Sequence, residues 1–394
     1  MNYADVLFKE DLKICLHFGD AAEEFSGAAV PPIYQNSLFV YSKHEELAEA
    51  VKNELNYYVY WRGTNPTVEV LEKKLAALER GEDCKCFASG MAAITAAILA
   101  SIKSGEHVLC VSHIYTSTLD LLKYLQKFNI QHSVVYSTNI EKIEQSIQKN
   151  TKLIILESPT SLTFELINLK SLAELAQSYG IRTMIDNTWG TPIFQKPLTL
   201  GFDIVVHSAS KYLGGHSDVV GGALITSHKI MMELFPKEFL LMGGIMGPHE
   251  ASLLLRSIRT LPFRMKEHEK NAYEVATFLE NHPNVTVVNY PGLATHPHYE
   301  LGKTQQTGNS GLLSFVLKDE TYEAAKAVIN AFKFIQIGVS WGSFESLVTS
   351  PNYGHNEGSL LKEKISPGLI RLSVGLELIS EIIEDLDQAL SVIS

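Results

Sequence analysis

The sequence predicts an α/β protein with a mostly parallel central sheet, helices on both faces, a smaller C-terminal α/β domain and an N-terminal arm. From residue 106 onward, short apolar runs alternate with segments of helical periodicity, which is the pattern of βαβ units in a parallel sheet. The chain has 394 residues, enough for two domains. We expect the arm at 1–60, the large domain at 61–255 and the small domain at 256–394.

The elements follow from local patterns in chain order. Pro31-Pro32 indicates an extended segment in the arm. The apolar stretch Cys86–Ile102 is interrupted by Ser89, Gly90 and other breaks, and predicts a buried helix, not a membrane span. Strands are expected at 106–111, 133–136, 152–157, 181–186, 204–206, 222–226, 285–288, 312–316 and 370–374. Helices are expected at 43–52, 71–80, 92–102, 118–128, 140–147, 169–179, 250–280, 322–332 and 379–393.

Composition excludes several classes of function. The formal net charge is −11 and no basic block is present, which argues against nucleic acid or an anionic membrane as the partner. The four cysteines form neither a CxxC pair nor a zinc spacing, so we expect no metal and reduced thiols in the cytoplasm. The first residues also lack the basic and apolar regions of a secretory signal.

Two strand ends carry candidate chemical groups. The run Ile204-Val205-Val206 leads into Ser208-Ala209-Ser210-Lys211, and a lysine at the end of a buried strand is favoured as a neutral nucleophile. Taken alone, such a lysine is more often structural. A second apolar strand ends in Asp186, however. Pyridoxal phosphate needs a lysine for its aldehyde and a carboxylate for its pyridine nitrogen, and strand ends at one edge of a sheet are where ligands bind.

Further groups suit a phosphate and a carboxylate. Gly90 and Met91 begin a predicted helix, whose N-terminus attracts anions, and Arg62 lies among tyrosines in a position that suits phosphate. Tyr115 follows a strand and could stack on a flat ring. Arg371 interrupts an apolar strand and needs an anion, which is either a substrate carboxylate or an internal Asp or Glu.

Several motifs together resemble a known family. In chain order they are Tyr60-Trp61-Arg62, Asn65-Pro66-Thr67, Ser89-Gly90-Met91, Glu157-Ser158-Pro159, Asp186-Asn187-Thr188, Ser208-Ala209-Ser210-Lys211-Tyr212, Gly215-His216-Ser217-Asp218 and Arg371. The chain resembles the Cys/Met-metabolism enzymes of the fold-type I pyridoxal-phosphate (PLP) group over nearly its whole length. Within that family, Ser340-Trp341-Gly342 and Glu345-Ser346-Leu347 are most similar to the bacterial cystathionine β-lyases.

The resemblance implies roles by position. Lys211 would bind the cofactor covalently, Asp186 would pair with its pyridine nitrogen, and Tyr115 would stack on its ring. The phosphate would be held by Gly90, Met91, Ser208 and Ser210 of one subunit and by Tyr60 and Arg62 of its neighbour. Ser340, Trp341 and Arg371 would hold the substrate. These roles imply a homo-oligomer, expected to be a tetramer built from dimers that share their active sites.

The expected reaction is carbon–sulfur β-elimination of a sulfur amino acid, with L-cystathionine giving homocysteine, pyruvate and ammonia. Trp341 stands where γ-enzymes commonly have leucine, and we expect it, with a possible contribution from Trp189, to restrict the bound side chain. Ser161 replaces an asparagine that in many members bonds the cofactor's phenolic oxygen, and the β-lyase branch tolerates a serine there. Asn65-Pro66-Thr67 is more typical of γ-enzymes. The alternatives are γ-elimination or γ-replacement and, from another class, a regulatory PLP-binding protein.

Overall fold

The computed structural model describes residues 3–20 and 22–393, and it contains two sheets flanked by helices. The strands are β1 Asp83–Phe87, β2 His107–Val111, β3 Gln131–Val135, β4 Thr151–Glu157, β5 Arg182–Asp186, β6 Ile204–Ser208, β7 Gly222–Thr226, β8 Val285–Asn289, β9 Leu312–Leu317, β10 Gln336–Ile337, β11 Leu347–Thr349 and β12 Leu369–Ser373. The helices are α1 Tyr3–His17, α2 His44–Lys52, α3 Pro66–Glu79, α4 Gly90–Ser101, α5 Thr116–Leu125, α6 Ile140–Gln145, α7 Leu169–Ser178, α8 Thr191–Phe194, α9 His228–Leu234, α10 Pro248–Ile258, α11 Leu261–Glu280, α12 Tyr299–Gln305, α13 Tyr322–Ala331, α14 Glu357–Lys362 and α15 Ile379–Leu390.

The first sheet has seven strands in the order β1-β7-β6-β5-β4-β2-β3. Only β7 pairs antiparallel to its neighbours, so the mostly parallel sheet expected from the sequence is confirmed. Successive residues of β4 point to opposite faces. Leu153 and Ile155 pack with α4, α5 and α9, whereas Ile154 and Leu156 pack with α6 and α7. Burial on both faces explains why these strands are continuous apolar runs.

The second sheet has five strands in the order β10-β11-β12-β9-β8, with antiparallel pairs except β10 with β11. Alternate residues of β12, Ile370 and Leu372, pack into a core with α11, α13 and α15. Arg371 therefore lies on the other face. Its neighbours across the sheet are Ser314 and Thr349, which are small and polar. Ser373 lies on the same face, and its Oγ accepts from Gly342 N at 3.2 Å. Gly342 in turn lies against Tyr212, which follows β6 of the first sheet.

Two local expectations were wrong, and one helix was not expected. The stretch at Cys86 begins as a strand, and the helix begins only at Gly90, because Cys86 pairs with Ala223 of β7. The helical region at 250–280 is two helices, with Pro262 in the first turn of the second. Residues 3–17 form α1, which contacts α3 and α11 and buries Asp11 against Lys196 at 2.9 Å. Tertiary contacts thus form a helix where local periodicity is weak.

None of the helices within residues 3–20 and 22–393 is long and apolar enough to cross a membrane. The same residues contain no group of three or more His, Cys, Asp or Glu side chains that could hold a metal ion. The domain boundaries at 60 and 255 stay predictions.

Candidate active site

The candidate residues gather at the carboxyl ends of the parallel strands. β4 ends at Glu157, β5 at Asp186 and β6 at Ser208, and the loop after β2 leads to Tyr115. Because these strands run in the same direction, their carboxyl ends lie along one edge of the sheet. The sheet topology therefore brings together groups that are up to 93 residues apart in the chain (115 to 208).

Lys211 lies in the turn after β6. Its amide donates to the Ser208 carbonyl at 3.2 Å, and its carbonyl accepts from Gly215 N at 2.7 Å, so the backbone is fixed on both sides. Burial lowers the pKa of its ammonium; the nearby Asp186 carboxylate opposes this shift, and the Arg371 guanidinium adds to it. A lowered pKa increases the fraction of neutral, nucleophilic amine at neutral pH.

Asp186 is held by a short chain of hydrogen bonds. Its Oδ1 accepts from the Thr188 amide at 3.0 Å and from the Thr188 hydroxyl. The Thr188 oxygen in turn accepts from Ser208 N at 2.8 Å. Burial raises the pKa of Asp186, and the Thr188 bonds, His207 and Lys211 oppose that rise. The sequence placed Thr188 in a motif but did not predict that it would hold the Asp186 carboxylate.

Glu157 is the second residue that sequence reasoning left without a role. It lies directly opposite Asp186 in the register of β4 and β5. Its carboxyl oxygens lie 2.5 Å from Tyr115 N and 2.6 Å from Ser161 Oγ. Ser161 thus contacts a carboxyl group of its own chain. The sequence predicted strand ends at both 157 and 186, and this was the information from which their proximity could have been expected.

A cradle for an anion lies where α4 meets the end of β6. The Ser89 side chain caps α4 by accepting from Ala92 N at 3.1 Å, and the first amides of a helix have no partner within it. A Cβ added at Gly90 would lie 2.9 Å from Ser208 Cβ, so only glycine lets the helix start approach the strand end this closely. Met91 begins the helix with Gly90. Ser210 Oγ accepts from Gly221 N at 3.0 Å and so closes the turn beside the cradle.

Arg371 reaches toward the same edge from the second sheet. Its Nη2 donates to the carbonyls of Val339 at 2.6 Å and Ser340 at 3.3 Å. In residues 3–20 and 22–393, no Asp or Glu forms an ion pair with it, so the internal carboxylate that the sequence left open is not among its described partners. Burial lowers its pKa, and the Tyr353 and Tyr115 phenols oppose this.

The two tryptophans expected near the substrate differ. The Trp341 ring lies 5.8 Å from Lys211 Nζ and makes an edge contact with Tyr212 at 5.5 Å. Gly342, at φ +83°, lets this loop lie on the turn, because a Cβ there would be 2.9 Å from Tyr212 N. Trp189 instead packs in the core of the second sheet, and its indole donates to the Leu312 carbonyl at 3.0 Å. The expectation that Trp189 lines the substrate space is therefore wrong.

Tyr60 and Arg62 contact each other at the surface. The Arg62 guanidinium lies 5.7 Å from the centre of the Tyr60 ring, and 47% of Tyr60 is exposed. Across the described residues, no hydrogen bond or ion pair joins either one to Lys211, Asp186 or Ser208. Tyr115 is half exposed beside the cluster, at the start of α5.

Comparison with known proteins identifies the family. The sequence model of the Cys/Met metabolism PLP-dependent enzymes matches residues 13–391. The chain belongs to this family. This family member is 40% identical to the cystathionine gamma-lyase of Bacillus subtilis over 96% of the chain and 98% of the relative. It is 38% identical to an L-methionine gamma-lyase of Fusobacterium nucleatum (92% and 94%) and 36% identical to the cystathionine beta-lyase of Lactococcus lactis (95% and 97%).

A solved structure agrees with the fold. The crystal structure of metB from Corynebacterium glutamicum superposes with a TM-score of 0.90 and 32% identity, covering 98% of each chain. The fold-type I expectation is thereby confirmed, and the family makes the chain a PLP-dependent enzyme of amino-acid metabolism related to lyases. The site fits the cofactor chemically, because it offers an amine of lowered pKa, a carboxylate buried without an Arg or Lys ion pair among the described residues, and the helix N-terminus at Gly90.

Proposed function

We propose that the protein is a carbon–sulfur β-lyase that converts L-cystathionine and water to homocysteine, pyruvate and ammonia, and that it also accepts cysteine-type substrates. The observation that supports β-elimination is the position of Trp341. Its indole lies 5.8 Å from the Lys211 amine and packs against Tyr212, so it narrows the space above the lysine. A bulky wall there would restrict rotation of the substrate side chain and favour one bond alignment.

Each residue of the cluster then has a proposed task. Bound PLP supplies the electron sink for the reaction. Asp186 keeps a proton on the pyridine nitrogen, and Thr188 holds the carboxylate in place with two hydrogen bonds. Tyr115 stacks on the ring. The amides of Gly90 and Met91, with the hydroxyls of Ser208 and Ser210, bind the phosphate.

Substrate and proton are handled by the residues around the lysine. Arg371, already anchored through the carbonyls of Val339 and Ser340, binds the α-carboxylate of the substrate with its remaining donors. Neutral Lys211 Nζ removes the proton from the α-carbon. The ammonium formed in this step lies beside the Trp341 ring, which stabilises a cation.

A second candidate, γ-elimination, is favoured by the relatives. Two of the relatives named above are a cystathionine gamma-lyase and an L-methionine gamma-lyase, and both are slightly more identical to this chain than the beta-lyase of Lactococcus lactis. Lys211, Asp186 and Arg371 would serve both reactions. The difference therefore depends on the wall formed by Trp341.

Product analysis distinguishes the two. With L-cystathionine as substrate, we expect pyruvate and homocysteine; mostly 2-oxobutyrate and cysteine would contradict β-elimination while leaving the cofactor site intact. Trp341→Leu should shift the ratio toward 2-oxobutyrate, whereas Trp341→Phe, which keeps an aromatic wall, should shift it less. Both keto acids are separated and quantified by chromatography. Unchanged ratios in both variants would show that another residue sets the outcome.

We further propose that the active unit is a dimer whose sites are shared, assembled into a tetramer. Support comes from the exposed pair Tyr60 and Arg62. Leu38, which forms a β-bridge with Tyr60, and nearby Val40 are exposed as well. The family is generally oligomeric, and a second subunit would give these residues a phosphate to bind. Four buried, unbonded cysteines support a cytoplasmic location.

A further inference from the structure

Two carboxyl groups lie on neighbouring strands of the first sheet, at the carboxyl ends of β4 and β5. Glu157 and Asp186 are register partners on neighbouring parallel strands, which are separated by about 4.8 Å. In the described part of the chain, neither forms an ion pair with a lysine or arginine. Two negative charges on register partners, both removed from water, repel each other, so we expect one carboxyl to hold a proton near neutral pH.

Both carboxyl groups accept two hydrogen bonds, but their charged neighbours differ, and this difference indicates which one holds the proton. Asp186 accepts from two Thr188 donors, and the charges that face it are those of His207 and Lys211, all of which favour the carboxylate. Glu157 faces Asp186 on β5, the Tyr115 amide and the Ser161 hydroxyl, with no cation among these contacts. A hydroxyl can accept as well as donate a hydrogen bond, so Ser161 Oγ can accept one from protonated Glu157.

The electrostatics agree with the geometry. Burial, and then the adjacent Asp186, raise the pKa of Glu157 to about 8. The 2.6 Å separation of Glu157 Oε2 and Ser161 Oγ suits an O–H···O bond in either direction.

We propose that Glu157 is a positioning residue that keeps a proton between its Oε2 and Ser161 Oγ, leaves the charge of the pair on Asp186, and anchors the Tyr115 and Ser161 loops to β4. This inference rests on the proposed pairing of Asp186 with the cofactor. When Glu157 donates, the hydrogen of Ser161 is available to an acceptor in the site. When Glu157 ionises, it releases its proton to solvent, its Oε2 accepts a hydrogen bond from the Ser161 hydroxyl, and its charge repels that of Asp186.

Glu157→Gln and Glu157→Ala test the proposal, with exposed Glu174→Gln as the matched control. The amide oxygen of glutamine can accept from Tyr115, and its NH₂ can donate to Ser161, so the Gln variant mimics the protonated acid. The dissociation constant of PLP is measured on each variant between pH 7 and 9. At pH 7 we expect the dissociation constant of Glu157→Gln to lie within about threefold of the native value. That of Glu157→Ala should be higher by about tenfold or more, because this variant loses both contacts.

The pH dependence gives the decisive comparison. Between pH 8 and 9 the native constant should rise by up to about tenfold relative to that of Glu157→Gln, as expected for one ionising proton. Infrared spectra of the native holoenzyme, with ¹³C-labelled glutamate, should show a protonated-carboxyl band that titrates near pH 8 and is missing in Glu157→Gln. Three results would each overturn the proposal. The first is a ratio of native to Glu157→Gln dissociation constants that does not change with pH. The others are the absence of a titrating band and a Gln variant that binds PLP as weakly as the Ala variant.

Failure of the Asp186 assignment has a different signature. Asp186→Ala would then bind PLP with the native dissociation constant, whatever the infrared band of Glu157 shows. The two hypotheses can therefore fail separately.

Discussion

The proposed site has two parts, a buried cluster and an exposed pair of side chains, which differ in burial and in their hydrogen bonds. The interior cluster comprises Lys211, Asp186, Thr188, Ser208 and Arg371. Its members are fixed by hydrogen bonds within the chain, and burial shifts the pKa values of Lys211, Asp186 and Arg371. The exposed pair, Tyr60 and Arg62, contact each other at 5.7 Å.

This difference separates the residues proposed to carry out the reaction from those proposed to act across a subunit interface. Groups that must have a particular protonation state are buried and oriented by their own strands, because burial and fixed partners are what shift a pKa. Tyr60 and Arg62 are proposed to bind the phosphate of the cofactor in another subunit. This task requires a long side chain and a charge but no shifted pKa, so these residues can stay exposed. Substitutions in the two halves should fail in different ways.

The largest effect is expected inside the cluster. Lys211→Ala should reduce turnover by about 10³-fold or more, because it removes the residue that transfers the α-proton. It should still bind PLP through the phosphate contacts. Borohydride treatment of the native enzyme should abolish its visible absorption and label Lys211, as read by peptide mass spectrometry. Label on another lysine would contradict the assignment, and exposed Lys149→Ala serves as the control.

The next effect is expected at the exposed pair, and it should be rescued in a mixed dimer. Arg62→Ala should lose most of its activity when PLP is limiting, because PLP binding weakens by about tenfold when one charged hydrogen bond is lost. Mixing it with Lys211→Ala should restore about a quarter of native activity, since half of randomly formed dimers are hybrids and each has one intact site of two. Arg256→Ala, exposed on α10, should behave as native.

Subunit exchange must be demonstrated in the same mixture, for example by mass spectrometry of isotopically labelled chains. Recovery would show that Tyr60 and Arg62 serve a neighbour's site. Absence of recovery despite exchange would place the complete site within one chain and remove the contrast between the two halves.

The last effect is on stability and its pH dependence. Glu157 has a pKa raised to about 8 when folded and an ordinary pKa near 4.3 when unfolded, so between these values the folded state holds one more proton. Stability should therefore fall as pH rises through this window, by up to about 1.4 kcal/mol per pH unit for one proton, and the loss should level off above pH 8. In Glu157→Gln this component is absent. Denaturant unfolding of both proteins at pH 5, 6, 7 and 8 measures the difference, and parallel curves would mean that Glu157 is already ionised.

Part of the molecule could be predicted from the sequence alone. The apolar runs ending at Asp186 and Lys211 and the alternation of strands with helices were sufficient for the mostly parallel sheet, because burial on both faces leaves a continuous apolar pattern. Parallel strands also place their carboxyl ends at one edge, so the proximity of these two residues followed from topology. The motifs were sufficient for the family.

Other features were decided only by the tertiary structure. Trp189 and Trp341 are equally apolar in the sequence, yet one enters the core of the second sheet and the other packs beside Lys211, because that choice depends on how the loops fold over the sheets. The first helix packs on α3 and α11, and its Asp11 forms a buried ion pair with Lys196, 185 residues away in the chain. The facing of Glu157 and Asp186 likewise depends on the register between two strands, since a shift of one residue would send one carboxyl to the opposite face.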